Sequence, residues 1–431
     1  MATRSPVLPL TMPLMTPRHF IFSTIGTDGD IIPYVGLGVV LRGRGHRVTL
    51  VAAEDYRALA ESSGLDFCPL ATEEENEQLF GHPDFWHPLK GAWIGARWGS
   101  ALLDRHYELF ATLARDGDAA FVTSPALLAA RVASETLGLP LATLLLQPWM
   151  IQSCSAPPVM PAGLSLPRRM PRPLGKAYWR MIDAVGAVLM GGRLSALRKR
   201  LGLAPVRNVF RWWLSPDLVL GMFPDWYGPP QADWPGQIRL VGFPMQDGRD
   251  EALPEDLLAF CRAGAPPVVF TFGTGMRHAD ATFRAALDAC RQLDVPGIFL
   301  TRHAAQLPEL PPTVRHVHFA PFSRLFPLCA AVVHHGGVGT IAKSLGAGVP
   351  QLVLPVAYDQ TDNAIRVKRL GVGEWVRARH ATGAGIAAAL TRLRSAEVGA
   401  QCRDLASRFG TADALTAASD YIEALVEEKS K

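Results

Sequence analysis

The sequence predicts an α/β protein of two doubly wound domains whose parallel sheets face each other across a cleft. Three observations carry that expectation. Short apolar runs without in–out alternation take turns with helical patterns along the chain, which is how strands read when both faces of a sheet are covered. The 431 residues exceed one ordinary core and suit two domains of about 200 residues each. A stretch rich in Gly, Pro and acids, "VGFPMQDGRDEALPEDL" from Val241 to Leu257, divides the runs into two series and has the composition of a linker.

The elements follow in order. "MATRSPVLPLTMPLMTP" begins like a leader, but Pro6, Pro9, Pro13 and Pro17 break its apolar run and no small-residue cleavage site follows. Residues 1–17 are expected to form a loose extension, with folding from Arg18 in a cytoplasmic setting. "HFIFSTIG" is a strand, "IIPYVGLGVVLRGRG" a helix with proline in its first turn, and "HRVTLVAA" a strand again. "AAFVTSP" and "LPLATLLLQP" are strands around the helix "ALLAARVASETLG". These make a domain of residues 18–240, followed by the linker 241–257. From Pro266 the strands "PPVVFTFGTG", "PGIFLTR", "VRHVHFA", "AAVVHHGG" and "PQLVLP" alternate with helices such as "ADATFRAALDACRQL". They make a second domain of 258–408, and amphipathic helices in 409–431 close the chain.

Composition excludes several classes. With 48% apolar and 19% charged residues the chain is globular. A formal charge of +4 is too mild for the basic stripe that nucleic acid requires. Six cysteines lie far apart with no CxxC pair, so buried thiols are expected instead of a zinc site or disulfide framework. No apolar run reaches the roughly 18 residues of a spanning helix.

One segment carries most of the chemistry. In "AAVVHHGGVGT" a strand ends in a glycine turn, and a helix is expected from near Val338 to about Gly346. Glycines let backbone N–H groups approach a ligand, and a helix start carries about +0.5 of an elementary charge, so an anion fits there. His335 adds a side-chain donor and Thr340 a hydroxyl; the plainer reading is a glycine turn whose histidines bond backbone carbonyls. "GVGTIA" also fits a dinucleotide fingerprint, but Asp359 comes past the strand end and not at its tip. "FTFGTGM" repeats the idea at Gly273-Thr274-Gly275, and two glycine turns from one sheet can embrace a diphosphate. Asp359 and Gln360 in "DQTDNA" then offer an acceptor and a donor to sugar hydroxyls, and Phe319 in "FAPFSRLF" offers a face to a base. The ligand that fits is a sugar nucleotide.

"HHGGVGT" and "GVPQLVLPVAYDQTDNAIRVKRLGVG" together resemble the donor-binding signature of the family 1 glycosyltransferases, and the similarity runs over nearly the whole chain after Arg18. The resemblance implies the GT-B fold of two Rossmann-like domains, a C-terminal helix in 409–431 that packs back on the N-terminal domain, and inversion at the anomeric carbon. It implies no metal and no cofactor beyond a nucleotide-diphosphate sugar, dTDP-rhamnose or a UDP-sugar. Carried over residue by residue, His335, Gly336, Gly337, Gly339 and Thr340 match the pyrophosphate site. Gly273 and Thr274 match the second phosphate loop, and Asp359 with Gln360 the sugar clamp. Phe319 stands where many relatives have tryptophan.

In "GTDGDIIP" the acids Asp28 and Asp30 invite a metal-binding reading, which their tight turn at Gly29 and the lack of a third ligand disfavour. The resemblance instead makes Asp30 the general base, with His335 the catalytic donor to the leaving group. A pKa near 3.9 and a helix start that favours the charged form would make Asp30 a feeble base; capping the helix is the plainer role.

Nine of the ten tryptophans precede the linker. "HPLKGAWIGARWGSALL" and "CSAPPVMPAGLSLPRRMPRPLG" read as irregular cover over an apolar pocket, with Thr27, Trp93, Trp149 and Met150 as acceptor-side candidates. The basic amphipathic stretch from Arg168 to Arg200 suits an anionic membrane face or solvent. "FPDWYGPPQADWPGQIRLVGFP" and "LQPWMIQSCSAPPVMP" resemble the rhamnosyltransferases of rhamnolipid synthesis. That narrower resemblance implies rhamnose transfer from dTDP-L-rhamnose to a lipid-like hydroxyalkanoyloxy-alkanoate, with peripheral association at the inner membrane. The alternative is a UDP- or dTDP-glucosyltransferase acting on a sterol, polyphenol or other small alcohol. A sugar-nucleotide epimerase and an inactive sugar-nucleotide-binding subunit rank lower.

Overall fold

The computed structural model describes residues 17–160, 164–167, 170–248, 251–410 and 413–430. All of the expected extension except Pro17 lies outside the described residues. The first sheet collects β1 (His19–Ser23), β2 (Arg47–Ala53), β3 (Asp66–Ala71), β4 (Ala119–Thr123), β5 (Leu141–Leu145), β6 (Leu218–Gly221) and β7 (Ile238–Leu240). Their order is β3-β2-β1-β4-β5-β6-β7. The second sheet holds β8 (Val268–Thr271), β9 (Gly297–Leu300), β10 (Val314–Val317), β11 (Ala331–His334), β12 (Gln351–Val353) and β13 (Gly373–Trp375), in the order β10-β9-β8-β11-β12-β13. All the pairings are parallel. Two doubly wound, Rossmann-like sheets are therefore present, in agreement with the expected class.

Strand β1 shows why the runs read as continuous. Phe20 and Phe22 enter one apolar layer with Leu50 and Val122, while Ile21 enters the opposite layer with Val51 and Phe121. Both faces are covered, so both sets of side chains are apolar. Strands β3, β6, β7 and β13 are absent from the sequence reading. β3, β7 and β13 are edges carrying exposed or charged residues such as Asp66 and Arg239, and edges are under weaker apolar demand; β6 is interior and buried, but its run of four residues is short. The supposed irregular cover from His87 folds instead as the helix Lys90–Ala101. Its glycines disfavour a helix by about 1 kcal/mol each, but packing overrides them: a Cβ at Gly91 would lie 2.0 Å from the Phe85 carbonyl oxygen.

Strand order reverses between β1 and β4 and again between β8 and β11. Crevices open beyond the carboxyl ends of the strands at such points. The two crevices meet. Leu145, Phe223 and Tyr227 of the first half share an apolar cluster with Ile341, Leu345 and Val353 of the second. The Tyr227 hydroxyl donates to Asn363 Oδ1 at 3.0 Å, and Lys343 pairs with Asp247 at 2.9 Å. Elsewhere between the halves, Arg302 pairs with Asp28 at 2.7 Å and the Tyr358 hydroxyl donates to the Phe85 carbonyl at 2.8 Å. The final helix, Ala414–Lys429, lays Leu415, Ala418 and Ile422 in the same cluster as Leu37 and Leu41 of the helix Asp28–Gly43.

Candidate functional site

A cavity of about 690 Å³ lies between the halves. Of the residues proposed from the sequence, all border it except Trp93 and Gly336. Its two ends differ in chemistry.

The polar end is built by the second sheet. Register pairs His334 at the end of β11 with Thr271 at the end of β8, so the two glycine turns leave the sheet side by side. The helix Val338–Gly346 begins directly after Gly337. Gly337, Val338, Gly339 and Thr340 border the cavity there, where first-turn N–H groups have no partner inside the helix. His335 lies between the turns: a Cβ on Gly273 would sit 2.9 Å from its ring, and one on Gly337 2.8 Å from its Nε2. Gly273 also has φ +88, a conformation that glycine adopts without strain. Burial lowers the His335 imidazole to about 4, against the opposing pull of the Thr271 carbonyl. The ring is neutral at pH 7 and carries a single N–H; its buried Nδ1 has no hydrogen-bond partner among the described residues. Its neighbour has a different task. His334 is fully buried, its Nε2 meets Gln351 Oε1 at 3.0 Å, and its Nδ1 accepts the Gly336 N–H at 3.1 Å. Gly336 is thereby committed to holding the turn, and its carbonyl accepts from Asn363 Nδ2 at 3.0 Å. It is not free to meet an anion as the sequence reading expected.

Asp359 and Gln360 stand at the start of the helix Gln360–Arg369. Gln360 Oε1 accepts from the N–H groups of Val356 and Ala357 at 2.8 and 3.0 Å, which leaves its amide N–H₂ as a donor. Asp359 accepts from Asn363 Nδ2 at 2.6 Å. Burial first, and then the nearby Asp30 charge, raise its carboxyl to about 7. Tyr358, just before it, holds φ +55, an uncommon conformation for an aromatic residue. Phe319 borders the same end beside His318.

Asp30 sits at the junction of the two ends. It occupies the first turn of the helix Asp28–Gly43 in a capping box with Thr27, accepting the Thr27 N–H on Oδ2 at 2.9 Å. Capping does not make it acidic. Burial raises its carboxyl from 3.8 to about 6 and outweighs the Thr27 hydrogen bonds that lower it. This corrects the expectation of a feeble base: loss of water here exceeds the helix-start effect. Asp28 is held apart by the Tyr56 hydroxyl at 3.1 Å and by Arg302. No group of three or more His, Cys, Asp or Glu that could hold a metal ion occurs among the described residues.

The apolar end is walled by Trp98, Trp149, Trp179, Met190, Phe210 and Trp213. The Trp149 indole N–H donates to the Val159 carbonyl at 3.1 Å, and Met150 lies beside it on the cavity wall. Trp93 needs correction: it is 47% exposed and stacks outside under Arg97. On the same helix Gly91, Gly95, Trp98 and Gly99 face the cavity. Their spacing of three and four was a signal available in "GAWIGARWG" that sequence reasoning missed. Trp86 and Tyr358, also cavity-lining, carried no such signal, because their placement depends on contacts between the halves.

The arrangement combines an anion-binding turn, a polar clamp and an apolar chamber, with one carboxylate at their meeting point: the layout of a GT-B sugar-nucleotide transferase. Comparison with known proteins agrees. Residues 20–154 match the glycosyltransferase family 28 N-terminal domain, and residues 284–411 match the erythromycin biosynthesis protein CIII-like C-terminal domain. The O-mycaminosyltylonolide 6-deoxyallosyltransferase of Streptomyces fradiae is 31% identical over 373 residues, 81% of this chain and 83% of its own. The vancomycin aglycone glucosyltransferase of Amycolatopsis orientalis is 30% identical over 430 residues, 95% of this chain and 98% of its own. The solved structure of spinosyn rhamnosyltransferase SpnG complexed with thymidine diphosphate shares the fold, with a TM-score of 0.65 and 19% identity over 95% of this chain and 99% of that one. The chain belongs to the family 1 nucleotide-sugar glycosyltransferases of GT-B fold, among relatives of the natural-product type. It is an enzyme that moves a sugar from a nucleotide-diphosphate donor.

Proposed function

We propose that the protein transfers a hexose, with inversion, from a dTDP- or UDP-sugar to a hydroxyl of a bulky apolar small molecule. The observation that carries this reading is the position of Asp30. It stands where the diphosphate turn of one half meets the tryptophan-walled chamber of the other. A sugar held by Asp359 and the Gln360 amide presents its anomeric carbon towards that junction. The acceptor hydroxyl attacks that carbon as its proton passes to Asp30 and the bond to the diphosphate breaks. One displacement from the opposite face inverts the centre. A base lifted to about 6 is closer to working pH than an ordinary aspartate, which strengthens general-base catalysis. The departing diphosphate gains charge against the unpaired N–H groups of the helix start and the neutral His335 donor, an electrostatic contribution already oriented before reaction.

Two relatives are named for acting on a tylonolide and on the vancomycin aglycone, and a structure of the same fold is named for its thymidine diphosphate. These support the alternative of a bulky alcohol acceptor over the narrower expectation of rhamnose passed to a hydroxyalkanoyloxy-alkanoate. The reading keeps a cytoplasmic setting with peripheral contact at the inner membrane. A mass-spectrometric screen crosses dTDP- and UDP-hexoses, including dTDP-L-rhamnose, with polyketide and peptide aglycones, sterols, polyphenols and hydroxyacyl lipids. A glycoside of inverted configuration on an aglycone-type alcohol is the expected product. A product only with hydroxyacyl lipids would overturn the acceptor class, and an epimerised donor without transfer would overturn the reaction.

A further inference from the structure

One polar ring stands in the wall of the apolar chamber and has no part in the reaction described above. His106, on the helix Leu103–Leu113, borders the cavity with Trp98, Leu103, Leu127 and Leu128. Its ring centroid lies 6.1 Å from that of Trp98, and the residue is only 3% exposed. Its protonation follows from its contacts. Nε2 meets the Leu70 carbonyl, near the end of β3, at 3.0 Å. A carbonyl oxygen can only accept, so the ring proton is on Nε2. Arg105 Nη2 donates to the same oxygen at 3.3 Å and is itself held by Glu75 at 2.8 Å, which keeps that carbonyl in place. Burial lowers the imidazole to about 4, against the opposing pull of the Leu70 carbonyl. At pH 7 the ring is therefore neutral, and Nδ1 carries a bare lone pair.

No hydrogen bond to Nδ1 occurs among the described residues. A buried acceptor left without a donor is costly, and buried polar atoms are paired as a rule. Leu103, Leu127 and Leu128 beside the ring offer no side-chain donor, so the partner must come from what fills the chamber. We propose that His106 Nδ1 accepts a hydrogen bond from a second donor group of the acceptor, a hydroxyl or N–H separate from the hydroxyl attacked beside Asp30. The acceptor class is then an apolar body bearing at least two donors. A chain whose one hydroxyl is the one attacked leaves Nδ1 unmet. A site that hydrogen-bonds a substrate group discriminates against the analogue lacking it, because its own polar atom is then stranded. The inference deepens the transferase reading above and rests on it for the identity of the chamber's guest.

Matched probes test it: estradiol against its analogue lacking the phenolic hydroxyl, and daidzein against its analogue lacking the hydroxyl of the pendant ring. Binding to the full-length, donor-free protein is read by quenching of tryptophan fluorescence, and turnover is then measured with dTDP- and UDP-hexoses. The wild type is expected to bind the two-hydroxyl member of at least one pair roughly tenfold more tightly. In His106→Phe that preference should fall to within about twofold. Arg105 still donates to the Leu70 carbonyl in this variant, and thermal melting checks that it is folded. The wild-type comparison needs no variant and decides by itself where His106→Phe does not fold. Equal binding of both members of each pair by the wild type, or binding of none, would overturn the proposal. So would a preference that survives in His106→Phe while both members weaken together, which would leave His106 as a support for Leu70 alone. Discrimination in binding without any sugar transferred would count against the transferase reading and not against the contact at Nδ1.

Discussion

Asp30→Asn removes one ionisable proton site and little else, because an asparagine oxygen can still accept the Thr27 N–H that Oδ2 accepts at 2.9 Å. Loss of a positioned general base typically costs a factor of about 10²–10⁴ in rate, or roughly 3–5 kcal/mol in barrier height. Stability should move the other way. The folded-state pKa lies near 6 against an ordinary 3.8, so folding favours the protonated carboxyl. That contribution is fully present below 3.8 and is lost as pH rises through about 6. At pH 7 the buried charge therefore costs about 3 kcal/mol, at about 1.4 kcal/mol for each pH unit of displacement. The neutral amide of the variant escapes that cost. Steady-state kinetics and urea unfolding on the same preparations measure both quantities. The expected variant has kcat reduced at least a hundredfold, donor Kd within about twofold, and higher stability at pH 7 with the gain vanishing at pH 4. The wild type should lose kcat/KM as pH falls through about 6, with Asp359 near 7 titrating as its coupled partner. Turnover of the variant within tenfold of wild type, with the acid limb unchanged, would refute the reasoning.

His335→Ala is expected to lower kcat by about 10²–10³, the usual cost of one oriented donor, while leaving acceptor KM near wild type; a change confined to acceptor KM would contradict its placement beside the diphosphate turn. Because burial holds the imidazole near 4, the variant's pH profile between 5 and 8 should keep the wild-type shape. Trp98→Ala should raise acceptor KM about tenfold or more by opening the chamber wall, whereas Trp93→Ala, on the outer face of the same helix, should leave kinetics unchanged; the pair is read side by side with one acceptor. Tyr358→Phe loses only the hydrogen bond to the Phe85 carbonyl, a net contribution of about 0.5–1.5 kcal/mol. It should weaken donor binding or kcat by about twofold to tenfold without altering acceptor KM, measured by donor titration and turnover.

Much of the chain's organisation is local and therefore legible in the sequence. Parallel strands covered on both faces must be apolar throughout, so β1, β2, β4, β5, β8, β9, β11 and β12 announce themselves as runs, and the mixed edge β10 is found by its place in that series, while the mixed edge β3 is not. The glycine turns at Gly273 and Gly336–Gly339, the helix start at Val338 and the Asp359-Gln360 pair are each set by a few consecutive residues. What neighbours cannot specify is solvation. Asp30 reads as an acidic cap from its own turn, yet it is raised to about 6 by water excluded when the chamber closes over it. Burial likewise gives His334 and His335, adjacent in sequence, separate tasks: one, anchored on Gln351, locks Gly336 by accepting its N–H, the other faces the cavity. Which tryptophan of "GAWIGARWG" turns inward is decided by the packing of its helix, and the ties of Asp28 to Arg302 and Phe85 to Tyr358 join residues more than 270 positions apart. The order of amino acids by itself determined two doubly wound halves and the anion-binding turns between them, because these follow from backbone pattern. Only the tertiary structure decided the proton affinities and the shape of the acceptor chamber, because both depend on which distant side chains displace water.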